Sequence, residues 1–381
     1  MTNFLRLIRG VDWVLFLCIV AVVLLGIITI KPFGSGEDGY FFSRQIIWLF
    51  LGLGVFFTSL AIDWNFLKTN GIFLFFLYLF LLALLFMLFL TAPSIRGAAS
   101  WFRIYSLSVE PVELMKVALV LLFAKYFSKR HVEIARFFHI LVSGTYVALP
   151  IALVLLQPDF GSAMVLGALW LGMALAGGIK IKHLFLLFFL GILAFAILWI
   201  FIFAQYQKDR VISFWYPQND VRGTGYHALQ SMIAVGSGGI FGKGIGYGTQ
   251  SRLEFLPENE TDFIFASFAE EWGFFGVIIL FFLFSVILWR ILRAGIYAES
   301  NFEKLYAAGL AVLLFFQSLI HIGMNIGILP ITGLGFPFLS YGGSSMLSLF
   351  LAVGILQSFY IRKKGIFIGS EERYKEGVLG V

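Results

Sequence analysis

Charged residues are scarce in this sequence. They make up 13% of its 381 residues, whereas 60% are hydrophobic; a soluble domain carries about 25% charged residues. That deficit excludes an ordinary water-soluble globular protein. Cysteine is nearly absent: Cys18 stands alone inside an apolar run, so no internal disulfide can form. The five histidines (131, 139, 183, 227 and 321) show no metal-ligand spacing, which argues against a protein-held zinc. No internal repeat is evident, so the pattern of an inverted-repeat transporter is missing. No small-residue cleavage site follows the first apolar stretch, and a cleavable signal peptide is not expected.

What the chain has instead is long apolar runs. Ten can be read, at about 12–30, 45–62, 71–91, 111–127, 137–156, 162–178, 183–203, 263–289, 305–326 and 344–361. A helix needs about 20 residues to cross a bilayer, so the expected fold is an all-α polytopic membrane protein of ten transmembrane helices. Basic residues set its orientation. Arg6 and Arg9, Lys68, Lys129, Arg130 and Arg136, Lys180 and Lys182, Arg290, Arg293 and Lys304, and Arg362, Lys363 and Lys364 occupy alternate connections. Those connections are expected in the cytoplasm, with both termini. The reading is a single membrane domain over 1–365 and a cytoplasmic tail over 366–381. Between helices seven and eight lies one long extracytoplasmic loop, about 204–262. It holds Lys208, Arg210, Arg222, Lys243 and Arg252. Long translocated loops are less bound by the charge rule, and basic charge kept outside points to an anionic ligand rather than to nucleic acid.

Within that loop, 226–233 reads as a short amphipathic surface helix. Residues 236–248 are Gly-rich, which predicts a flexible segment whose backbone approaches a ligand closely. The Gly-Lys-Gly-Ile-Gly run has neither the flanking pattern nor the side of the membrane that a nucleotide loop requires.

Charges at or inside the membrane rim are functional candidates, since each costs at least ~2.5 kcal/mol to bury. Asp262 closes the stretch Leu256-Pro-Glu-Asn-Glu-Thr-Asp262 just before an apolar run. Two readings stand side by side: a helix-start carboxylate favoured by the dipole, and a general base. Glu113 and Lys116, three apart on one helix face, can pair with each other or line a cavity. Asp159 sits in the turn Gln157-Pro-Asp-Phe-Gly161 and matters chemically only if it faces that cavity. Arg96, Arg103, Arg210 and Lys243 are candidates to hold a pyrophosphate. Segment 325–345 is interrupted by Gly and Pro, as irregular backbone lining a cavity would be; Asn325, Ser340, Gly342 and Gly343 are its candidate wall residues. Glu270 and Glu271 read as buried structural acids.

These pieces together, Arg96-Gly-Ala with Trp101, Glu110-Pro-Val-Glu-Leu-Met-Lys116, Gln157-Pro-Asp-Phe-Gly161, Ala234-Val-Gly-Ser-Gly-Gly with Gly242-Lys-Gly, Leu256-Pro-Glu with Thr261-Asp-Phe-Ile-Phe, and Leu339-Ser-Tyr-Gly-Gly-Ser344, resemble the SEDS family (shape, elongation, division, sporulation), and its rod-shape branch most. The order holds over nearly the whole chain. Val112 stands where the family usually has Ser. The resemblance implies a peptidoglycan glycosyltransferase for cell-wall biogenesis that polymerises lipid II on the outer face of the plasma membrane. It places the catalytic Asp on Asp262 and supporting residues on Glu113, Lys116 and Asp159. It also implies a class B penicillin-binding transpeptidase as partner. No tightly bound cofactor is expected; a divalent cation, Mg or Mn, is one that could accompany the pyrophosphate. The rivals are a lipid II flippase and a non-catalytic scaffold for the transpeptidase.

Overall fold

The computed structural model describes residues 7–31, 40–91, 101–104, 107–130, 137–202, 208, 224–253, 255–256 and 258–378. It is helical almost throughout. The helices are α1 (Trp13–Ile30), α2 (Tyr40–Ala61), α3 (Gly71–Thr91), α4 (Pro111–Arg130), α5 (Phe137–Leu156), α6 (Phe160–Ala176), α7 (Ile181–Ile197, with a π-turn Leu198–Ile202), α8 (Thr224–Ser237), α9 (Ile264–Ile296), α10 (Asn301–Asn325) and α11 (Gly343–Val378). A two-stranded hairpin, β1 (Phe102–Ile104) with β2 (Leu107–Val109), precedes α4. Every one of the ten apolar runs falls on a helix. Seven helices among the described residues are long and apolar enough to cross a membrane, and α6 is a shorter apolar one. The helix expected at 226–233 is longer than read, and it packs on α9 and α10 rather than merely lying on the surface.

Apolar patterning explains the packing. In α3 the buried side chains are Leu74, Tyr78, Leu81, Leu85 and Leu88, one stripe at three- and four-residue spacing. It faces α4 and α5. The opposite side shows Ile72, Phe76, Phe80 and Leu90, all exposed, which suits lipid rather than water. Helix α4 has protein on almost every side and packs against α3, α6, α10 and α11. Pro111 opens it, where a missing N–H costs nothing.

Ion pairs knit one end of the bundle. Arg290 near the end of α9 bonds Asp12 through Nε at 2.6 Å and Nη2 at 2.5 Å, and Asp12 also caps α1 by accepting from Leu15 N. Lys68 pairs with Glu303, and Arg362 with Asp63. Ser300 caps α10 by accepting from Glu303 N. These residues all come from connections assigned to one side by charge counting. The opposite end gathers Asp159, Asp262, Asn325 and Ser340, described below.

Helix α9 is broken. Gly273 sits at φ +66°, ψ −170°, and the 238–248 loop enters the gap. Lys243 N and Gly244 N donate to Glu270 O and Glu271 O, and Phe274 N and Phe275 N donate to Gly239 O and Ile240 O. The groups orphaned by the break are thereby paired, as buried backbone requires. A Cβ at Gly242 would sit 2.1 Å from Glu271 O, and one at Gly273 would sit 2.2 Å from Gly242 N. The loop glycines therefore serve close approach to protein backbone. This corrects the expectation of a flexible ligand cradle.

A candidate polar site at the end of the bundle

Asp262 lies just outside α9. The helix begins at Ile264, its N-cap is Phe263, and no acid occupies its first turn. Asp262 is therefore neither the N-cap nor a first-turn residue of α9. Its position comes from a turn in which Thr261 N, Asp262 N and Phe263 N all converge on Glu258 O, with Glu258 itself at φ +53°.

Three further bonds fix that turn through main-chain oxygens. Asn325 Nδ2 donates to Asp262 O at 3.0 Å, Ser340 Oγ to Thr261 O at 2.9 Å, and Tyr341 N to Glu260 O at 2.9 Å. The Asp262 side chain is half-buried and faces the 330–342 segment: a Cβ added at Gly333 would lie 3.7 Å from its Oδ2. Asn325, expected on a cavity wall, is a fully buried strut. Its Oδ1 accepts from Ala266 N at 3.1 Å, and its Nδ2 also donates to His321 O at 2.8 Å. It thus caps the start of α9 from a neighbouring helix. Asn325→Ala is expected to destabilise the protein by about 2–3 kcal/mol, since Ala266 N–H is left buried and unpaired; thermal unfolding in detergent measures it. Ser340 and Gly342 are half-buried and likewise engaged: Gln45 Nε2 donates to Ser340 O, and Gly342 N to Gln45 Oε1. Gly343 packs on Trp48.

Glu113, Lys116 and Asp159 do come together. Lys116 Nζ donates to Glu113 Oε1 at 2.7 Å inside the bundle. Asp159 caps α6 by accepting from Ser162 N at 2.9 Å, and lies within electrostatic reach of Lys116 and Glu113. Glu110, which had no assigned role, joins them. Its backbone N–H donates to Ser344 Oγ at 3.0 Å, so the group borders the same 326–345 segment that faces Asp262. Gly161 closes the link: a Cβ there would sit 2.8 Å from Thr332 O.

Three acids share one lysine here. Burial pushes the Glu110 carboxyl well above its ordinary value, and Glu113 and Asp159 push it further, against Lys116 and a hydrogen bond from Trp101. Burial also raises Asp159, opposed by its bonds from Ser162 and by Lys116. A carboxyl whose pKa is raised on folding contributes stability that is full at low pH and lost as pH rises through the raised value. Glu110→Gln is therefore expected to raise thermal stability at alkaline pH and to flatten its decline above the ordinary glutamate range. Melting curves across pH check both.

Lys243 is engaged by the protein. Its Nζ bonds Glu270 Oε1 at 2.7 Å and Thr249 Oγ1 at 2.8 Å. Glu270 is fully buried and also accepts from Gln250 N and from Ser251 N and Oγ. Glu271 accepts from Gly246 N. The two acids thus gain the partners that sequence could not name. Arg96 and Arg210 lie outside the described residues, as does the side chain of Arg103. Among the described residues no group of three or more His, Cys, Asp or Glu could hold a metal ion.

A bundle of apolar helices with Glu110, Glu113, Asp159, Asp262 and Asn325 toward one end and ion pairs at the other defines a polytopic membrane protein with a polar rim site. Residues 6–364 match the family profile of the FtsW, RodA and SpoVE proteins, described as cell cycle proteins. The chain is 33% identical over 360 residues to a probable peptidoglycan glycosyltransferase FtsW of Haemophilus influenzae, covering 91% of this chain and 89% of the relative. It is 36% identical over 269 residues to the peptidoglycan glycosyltransferase MrdB of Escherichia coli K12, covering 71% and 72%. A solved chain from a peptidoglycan synthase complex, one that coordinates polymerization and crosslinking, superposes with TM-score 0.77 at 29% identity over 92% of this chain and 97% of that one. The chain belongs to the FtsW/RodA/SpoVE family, the SEDS proteins.

Proposed function

We propose that this protein is a peptidoglycan glycosyltransferase that polymerises lipid II on the outer face of the plasma membrane, in the service of elongation and rod shape. The enzyme class is the one its FtsW and MrdB relatives are named for. The alternating basic connections support ten crossings with both termini in the cytoplasm, an orientation in which the Asp262 end faces outward. The observation that carries the reading is the mounting of Asp262: its backbone is clamped on three sides while its carboxyl points toward the 330–342 segment.

In this reaction the Asp262 carboxylate takes the proton from the 4-hydroxyl of the acceptor N-acetylglucosamine. That oxygen attacks the anomeric carbon of the donor N-acetylmuramic acid. The bond from that carbon to the pyrophosphate oxygen breaks, its electrons leave with undecaprenyl pyrophosphate, and the configuration inverts. A single displacement needs one base, unlike the paired carboxylates of hydrolases. Glu113, Lys116, Glu110 and Asp159 set the charge of the adjoining wall, so that the neighbouring segment is held without a net positive pull on the base. Arg96, Arg103 and Arg210 are the proposed pyrophosphate cations; Lys243 is not, being spent on Glu270. Any divalent cation arrives with the pyrophosphate as part of the substrate. A class B penicillin-binding protein is the proposed partner, in keeping with the crosslinking complex above.

The test is to reconstitute the protein, alone and with that partner, with labelled lipid II in vesicles. Glycan strands are expected. Transbilayer movement of lipid II with no glycan product would overturn the reading in favour of a flippase.

A further inference from the structure

The 238–248 loop has one feature that its clamp on α9 does not require. Its tip, Ile240 and Phe241, is 65% and 84% exposed. An apolar tip thrust outward is unfavourable in water, at about 25 cal/mol per Å². Its surroundings are equally apolar. Phe274 and Phe275, whose N–H groups bond Gly239 O and Ile240 O, are exposed themselves. They begin the exposed face of α9 that continues through Ile278, Ile279 and Phe282. The tip thus extends a lipid-facing stripe without interruption.

Charge agrees. From 228 to 251 the sequence carries one charged side chain, Lys243, and it is turned inward to Glu270. Depth agrees as well. Arg290 marks the ion-paired end of the bundle. From Arg290 back to Gly273 is about 26 Å at 1.5 Å per residue, less than the roughly 30 Å of a hydrocarbon core. The break therefore falls at membrane depth, where irregular backbone survives only with its polar groups paired inside the protein. The loop supplies that pairing.

We propose that the 238–248 loop re-enters the bilayer, with Ile240 and Phe241 among lipid acyl chains beside Phe274 and Phe275. The loop is then an anchor that fixes the depth of the polar rim against the membrane. This stands on the fold alone and is independent of the proposed chemistry.

Cys18 is the sole cysteine, so a Cys18→Ser background gives clean labelling. A nitroxide is attached at Phe241→Cys, with Phe282→Cys as the lipid reference and Arg252→Cys as the loop reference, in phosphatidylethanolamine–phosphatidylglycerol vesicles. Accessibility to oxygen and to a water-soluble nickel chelate is then measured. The expected result is an oxygen-to-nickel ratio at 241 matching that at 282 and shifted well above that at 252. A ratio matching 252 would overturn the proposal, because the tip would be in water. Low accessibility to both reagents would also overturn it, because protein would cover the tip. Ile240→Cys repeats the measurement should the label at 241 prevent folding.

Discussion

Purified Asp262→Asn protein will melt like the parent and make no detectable glycan from lipid II. The first half follows from how the residue is held. Asn325, Ser340 and Tyr341 bond main-chain oxygens of 260–262, and none of them depends on the carboxylate. The amide matches the acid in shape, so the turn keeps its geometry. The second half follows from the chemistry, since an amide cannot accept the acceptor's proton. General bases contribute about 10²–10⁴-fold, which takes the rate below detection in a gel assay of chain products. The paired melting curve separates a lost base from a lost fold. An Asn variant that polymerises at the parent rate would remove Asp262 from the mechanism.

Gly242→Ala should give the largest loss of stability of any single methyl group in the outer loop. The added carbon would lie 2.1 Å from Glu271 O, and Gly242 sits at φ +78°. The left-handed conformation alone costs roughly 1–2 kcal/mol for alanine. Relieving the clash would pull the loop from the break in α9 and endanger four backbone hydrogen bonds, each worth about 1 kcal/mol net. The sum is several kcal/mol, against a whole-domain stability of about 5–15 kcal/mol. Gly239→Ala is the control. It has φ +55°, but its Cβ would meet nothing within 4 Å, so it should show only the conformational cost. Thermal unfolding and folded yield in detergent distinguish the two. Equal losses would mean that the close approach at Gly242 does not matter.

The helices were legible because a bilayer imposes a length and an apolar composition that single residues rarely disturb. The gathering of Glu113, Lys116 and Asp159 was half legible. The first two share a helix face at a spacing of three, whereas Asp159 reaches them only through packing. Glu110 opens the same motif, and an acid three residues before Glu113 is the signal for it in the sequence. The break at Gly273 was not legible. One glycine in a 33-residue apolar helix looks like any other, and its partners lie some thirty residues upstream. The Lys243–Glu270 pair is hidden for the same reason, since 27 residues separate its partners and sequence leaves Lys243 looking like a ligand cation. The role of Asn325 as a remote cap needed the third dimension as well, since 59 residues separate it from Ala266.

The two-part form of α9 also bears on how the chain is made. Residues 274–296 form the acid-free part of α9, running from the break to the ion-paired end of the bundle. The insertion machinery can therefore release that half into lipid. Residues 264–272, carrying Glu270 and Glu271, need never pass through lipid as an isolated helix. They can wait at the outer surface until Lys243 pairs with Glu270 and the loop backbone bonds Glu271. Assembly of the polar rim then becomes a late step in biogenesis, completed after the spans are in place.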